Sequence, residues 1–281
     1  MSPGDLVEEF KITMGLDGPA LPANWNVTPT SPVYAFRDLP GSPADSAREL
    51  FTPSWGLIAP WSKDQVSALK SQSNAINARI ESVHEKPTFR SAFRSRRCII
   101  PVTGYYEWAT ENGPFAPKQP FYIHSQSRSG TEPALALAGI FDCWVDSNGE
   151  IHESCSIITR PAIGQLAAIH HRMPTFITEE RWTKWLSPEV QEPSYLHELL
   201  EFSAADQGVE SYEAGARTGA SASAGASAHA SASSEAAEIT ARVVSLLAVD
   251  PVSTRVNYIR NNGPELIVPE LNPSQPSLFG E

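Results

Sequence analysis

The sequence predicts an α+β fold: a single compact domain with an irregular β-barrel-like core and a few short helices. Three observations carry this. Runs rich in β-branched and aromatic residues, such as Cys98-Ile99-Ile100-Pro101-Val102 and Phe121-Tyr122-Ile123-His124, recur between glycine and proline breaks. Helical spacing of apolar residues is confined to short windows. A chain of 281 residues can bury a full core, and no second block of composition marks a second domain. The domain is expected over residues 1–269, followed by a flexible tail at 270–281.

Taken in order, Leu6, Val7, Phe10 and Ile12 give residues 5–15 an apolar stripe and predict a short helix. Residues 17–60 are proline-rich and aromatic, which predicts loops and short strands. Ser91–Arg96 reads as a helical turn that sets Arg90, Arg94 and Arg97 on one face. Cys98–Val102 and Tyr105–Ala109 read as a hairpin-like pair of strands around Gly104. Phe121–His124, Ala134–Trp144 and Ser154–Thr159 read as further strands, and Ala162–Ile169 and Thr178–Leu186 as helices. From Ala214 to Ala237 almost every residue is Ala, Ser or Gly. Such a segment has little to bury against its ordering entropy, so a disordered insertion is expected at about 203–238.

Composition excludes several classes. No run of eighteen apolar residues is present, so no membrane span is expected. Cys98, Cys143 and Cys155 are odd in number and lack CxxC spacing, which argues against a disulfide framework, a metal site or a metal cofactor. They read as buried apolar cysteines of a cytoplasmic protein. The net charge of −11 speaks against nucleic acid until its distribution is considered. Between Arg79 and Arg97 stand six basic residues against two acids. Acids gather instead after Pro188, so a basic face can coexist with an acidic rim. The same arginines also fit a solvated surface with no partner.

The densest chemistry lies at Asn77-Ala78-Arg79 and Gly104-Tyr105-Tyr106-Glu107-Trp108. An acid set among aromatics is costly to bury unless it has a partner or a task. Further blocks are Trp55-Gly56-Leu57-Ile58-Ala59-Pro60-Trp61, Leu137-Ala138-Gly139-Ile140-Phe141, Ile169-His170-His171-Arg172-Met173-Pro174 and Val252-Ser253-Thr254-Arg255-Val256-Asn257. Together these blocks resemble the SOS-response-associated peptidase (SRAP) family, whose members protect abasic sites in single-stranded DNA. The resemblance implies a compact domain crossed by a basic groove. It also implies a monomer that needs no cofactor and joins the sugar aldehyde covalently.

In the family, removal of Met1 exposes a cysteine at position 2. Its amine forms an imine with the aldehyde, and its thiol closes a five-membered thiazolidine. The resemblance implies that Asn77, Glu107 and His170 assist this step: Asn77 orients the sugar or a phosphate, Glu107 moves a proton, and His170 serves the sugar oxygen. Arg79, Arg90, Arg94 and Arg97 would contact phosphates. Trp55 and Trp61 would stack on bases, worth roughly 1–3 kcal/mol per base. Plainer roles exist for each: a turn amide for Asn77, an ion pair with Arg79 or Arg97 for Glu107, a helix-terminal histidine for His170, and core packing for the tryptophans. His84 and His171 read as structural.

Residue 2 is Ser2, and the family's opening Met-Cys-Gly-Arg is missing. Met1-Ser2-Pro3-Gly4-Asp5 reads as the start of the first helix, as though the sequence began several residues late. A hydroxyl is a far weaker nucleophile than a thiol, so Ser2 is not a replacement. The rival readings are a peptidase acting on other proteins and a non-catalytic single-strand binding module. At the tail, Gln275, Leu278 and Phe279 resemble the short motif that docks replication proteins on the sliding clamp, or else form an ordinary frayed end.

Overall fold

The computed structural model describes residues 2–39, 41, 47–110, 114–126, 134–200 and 240–270. The expected insertion at 203–238 and the clamp-like Gln275, Leu278 and Phe279 lie outside these residues. The first half carries α1 (Pro3–Phe10), β1 (Ala35–Asp38), β2 (Arg48–Phe51), β3 (Ser54–Trp55), α2 (Gln65–Asn74) and β4 (Asn77–Arg79). Then come α3 (Pro87–Ser95), β5 (Arg97–Val102), β6 (Gly104–Trp108), β7 (Pro120–Ser125), β8 (Leu135–Val145) and β9 (Ile151–Pro161). The chain finishes with α4 (Gly164–Ala167), β10 (Arg172–Pro174), α5 (Glu179–Leu186), α6 (Pro193–Leu199) and β11 (Leu247–Pro251).

The fold is α+β, as expected, but the sheets do not close into a barrel. One sheet runs β10-β9-β8-β5-β1-β2, with β3 and β4 added in parallel on β9; a second runs β11-β7-β6. The long β8–β9 hairpin is the spine. At its tip Asp146 Oδ1 accepts the N–H groups of Asn148 and Glu150, and Gly149 takes the positive φ that the turn needs.

β5 is buried from Arg97 through Pro101, which explains its unbroken apolar run. Ile99 joins a core with Phe10, Phe36, Phe93, Trp182 and Trp185, under the helices. Cys98 and Ile100 join the opposite core with Phe121, Ile123, Leu137 and Val249, between the two sheets. Alternation along one strand therefore serves two cores.

Three expectations need correction. β5 and β6 do not form a hairpin: β5 pairs β8 and β1, whereas β6 pairs β7. Thr103 links them across sheets, and Gly104 follows because an added Cβ would sit 2.5 Å from the Tyr122 ring. The helix expected over Ala162–Ile169 shrinks to the single turn of α4. And α2 was not expected at all, because its Val66 and Leu69 face solvent and give no buried stripe. Its start is nonetheless a capping box, with Asp64 accepting from Ser67 N and Ser67 Oγ from Asp64 N.

Arg97 is a further correction. It is 1% exposed, so it cannot meet a phosphate. Its guanidinium donates to the carbonyls of Trp185, Phe93, Arg94 and Ser187, tying α3 to the end of α5. Burial pulls its pKa down to about 10, which still leaves it charged at neutral pH. Truncating it orphans buried carbonyls at about 1–3 kcal/mol apiece. Arg97→Ala is therefore expected to cost about 3 kcal/mol or more in denaturant unfolding, whereas exposed Arg90→Ala and Arg94→Ala should stay within about 0.5 kcal/mol.

Candidate active site

Glu107 lies on β6, opposite Phe121 of β7. Its carboxylate Oε2 stands 3.6 Å from His170 Nδ1, and its Oε1 accepts the Trp108 N–H at 3.1 Å. Both side chains are about one-quarter exposed, so the pair reaches the surface and is not part of the core. Burial pushes the Glu107 carboxyl above its ordinary range; the His170 charge and the Trp108 N–H only partly pull it back. The ion-pair partner is thus His170 and not Arg79 or Arg97.

His170 sits between α4 and β10. Its Nδ1 lies 3.2 Å from both Arg172 N and Arg172 O, so the ring is gripped by the backbone turn at residues 170–172. The His171 ring packs 4.3 Å from it. Desolvation, then the charges of His170, Arg172 and Arg79, hold the His171 pKa below its usual value. Arg172 forks onto both oxygens of Glu81 and also donates to Thr159 O. Burial would raise the Glu81 carboxyl, but the Arg172 bonds and charge and the Arg79 charge carry it below the ordinary range.

β4 brings the rest. Asn77 and Arg79 pair with Ile157 and Thr159 of β9, with Ala78 buried between them. Their side chains therefore share the open face of the strand, roughly 7 Å apart. Arg79 acts electrostatically on His171 and Glu81, which places it beside the histidine pair. Among the described residues it makes no ion pair of its own. The described contacts thus join Glu107 to His170 and set Arg79 near the adjoining His171, while Asn77 lies two residues before Arg79 on the same face of β4.

The other expected DNA contacts fare differently. Arg90 and Arg94 are exposed on α3, and no contact ties them to the Glu107 cluster. Trp61 is 56% exposed between β3 and α2. Trp55 is half-buried and donates its indole N–H to Ile76 O, next to the start of β4. Ser2 is the N-cap of α1: its Oγ accepts Asp5 N, and its own N–H donates to Asp5 Oδ2. Cys98 and Cys155 are fully buried and Cys143 half-buried, all in strands.

The model of a family described as SOS response associated peptidase (SRAP) matches residues 1–220. The chain belongs to the SRAP family. It is 32% identical over 212 residues to the abasic site processing protein YoqW of Bacillus subtilis, covering 75% of this chain and 88% of that one. It is 34% identical over 188 residues to the rat abasic site processing protein HMCES, covering 58% and 53%. Among solved structures, a protein from Bacteroides thetaiotaomicron superposes with a TM-score of 0.56 at 25% identity, covering 86% of this chain and 82% of that one. A protein from Bordetella bronchiseptica shares the fold with a TM-score of 0.55 at 23% identity, over 72% and 91%.

Within this SRAP chain, sequence reading missed Glu81 and Arg172 as the pair that fixes the 170–172 turn. It also missed Asn257, whose Oδ1 takes the Trp108 indole N–H at 2.7 Å. The signals were present as charged or amide residues inside the motif blocks, but pairing across 91 residues has no local signature. Among the described residues no helix is long and apolar enough to cross a membrane.

The raised Glu107 pKa has a thermodynamic consequence. The unfolded carboxyl ionises near 4.5, the folded one at higher pH. Between the two the folded state holds the extra proton, so this group's contribution to stability falls as pH rises through that window. Glu107→Gln should remove that loss. The variant's stability relative to the parent is expected to grow from pH 4 to pH 7 in urea unfolding; an unchanged difference would contradict the desolvation.

Proposed function

We propose that the chain recognises abasic sites in single-stranded DNA and supports their covalent capture beside Glu107 and His170. The observation that carries this reading is the Glu107–His170 pair, 3.6 Å apart, with Arg79 of β4 acting electrostatically on the adjoining His171. Relatives at 32–34% identity are named abasic site processing proteins.

The substrate is a deoxyribose that opens to an aldehyde. His170 delivers a proton to the ring oxygen as the sugar opens, and Asn77 holds the sugar by donating and accepting through one amide. Arg79, which makes no ion pair among the described residues, takes a flanking phosphate with its planar fork. An α-amine adds to the aldehyde and loses water to give an imine. Glu107, whose carboxyl burial raises above its ordinary range, supplies the proton that carries the water away. A thiol on the neighbouring carbon then adds across the C=N bond and closes the thiazolidine. Ser2 lacks the thiol, and its hydroxyl is engaged in capping α1.

The test compares two forms on an abasic single-stranded oligonucleotide, run on a denaturing gel. The chain as given is expected to bind without a durable adduct. The chain preceded by Met-Cys-Gly-Arg is expected to give a heat-stable shifted band. In that form, Glu107→Gln should slow band formation by about 10²–10⁴-fold. An extended chain with no band, or a band of equal yield from the chain as given, overturns the reading.

A further inference from the structure

The loop that follows β11 is built more rigidly than its exposure suggests. The Asn26 amide Nδ2 reaches three of its carbonyls: Val256 at 3.1 Å, Tyr258 at 3.4 Å and Asn261 at 3.1 Å. Asn262 Oδ1 accepts the Trp25 N–H at 2.8 Å, and Trp25 O in turn accepts the Tyr106 hydroxyl at 2.8 Å. From the other side Asn257 holds the Trp108 indole. The loop is therefore fastened to β6 on both sides of Glu107.

This fastened backbone presents Tyr258 and Ile259 outward, 57% and 79% exposed. The Arg260 guanidinium lies 5.4 Å from the centre of the Tyr258 ring. Among the described residues Arg260 has no acidic partner, and the neighbouring Arg255 is only loosely paired, 3.6 Å from Glu265. A chain of net charge −11 thus holds an unpaired cation against an exposed aromatic ring, on a rigid support beside its acid. An exposed ring next to an exposed aliphatic side chain, with a cation over the ring, gives this loop a surface suited to a planar partner. A flat π-face backed by a guanidinium fits a nucleobase, and the cation fits the phosphate that accompanies it.

We propose that Tyr258, backed by Arg260, is a stacking platform for a base of the DNA strand flanking the reacting sugar. This rests on the DNA reading of the Glu107 site and deepens it: the strand would run from Arg79, past Glu107, onto the loop. The recognition is sequence-tolerant, because every base offers a π-face.

The test uses the full chain and intact single-stranded oligonucleotides carrying 2-aminopurine, with no abasic site, so it does not depend on covalent capture. Affinity is read by anisotropy and stacking by fluorescence quenching. Tyr258→Ala is expected to weaken binding about tenfold and to abolish the quench. Tyr258→Phe, which keeps the ring, should bind within about twofold of the parent. Arg260→Gln should reduce the slope of log affinity against log salt by about one. If Tyr258→Ala binds and quenches like the parent while Arg79→Ala loses affinity, the platform is wrong and the DNA reading stands. If the parent binds no single-stranded DNA, both fall. Equal losses in Tyr258→Phe and Tyr258→Ala would also overturn stacking.

Discussion

β9 is the constraint on which the site depends, because it is hydrogen-bonded along both edges. β8 and then β10 run antiparallel to it, while β3 and β4 run parallel. Thr159 alone pairs with Arg79 of β4 and with Pro174 of β10. That single register sets the Asn77–Arg79 strand against the turn that carries His170, although the two are separated by most of the sheet in sequence. A slip of one residue in β4 would bury Asn77 and Arg79 and expose Ala78. The chemistry is then completed from the second sheet, where β6 carries Glu107 to His170.

The two sheets meet at a place where burial is incomplete by design of the packing. Burial raises the Glu107 carboxyl above its ordinary range, yet about a quarter of the side chain stays exposed. The polar scaffold beneath is arranged in pairs: Arg172 with Glu81, Trp108 with Asn257, Trp55 with Ile76. Arg79 is left over. In a site for a phosphodiester, a guanidinium without a carboxylate is what electrostatics requires, since an internal partner would compete with the phosphate.

Much of this was legible in the chain. Short β-rich runs between glycine and proline breaks announced the α+β class, and the motif blocks held both Glu107 and His170, which the fold brings within 3.6 Å. What failed did so for identifiable reasons. Arg97 looked like its neighbours Arg90 and Arg94, because helical spacing cannot show that α3 ends at Ser95 and that Arg97, the first residue of β5, turns inward. The supposed β5–β6 hairpin failed because one linking residue can change sheets as readily as reverse a strand. α2 went unseen because its apolar residues face out. Long-range pairs such as Arg172 with Glu81 leave no local trace at all.

Burial lifts the Glu107 carboxyl and the His170 charge restrains it. A carbon-13 titration of that carboxyl, in the parent and in His170→Ala, measures this directly. The predicted result is a midpoint above 4.5 in the parent and higher still in the variant, where the opposing charge is gone. A midpoint at or below 4.5, or one indifferent to loss of the imidazole, would contradict it.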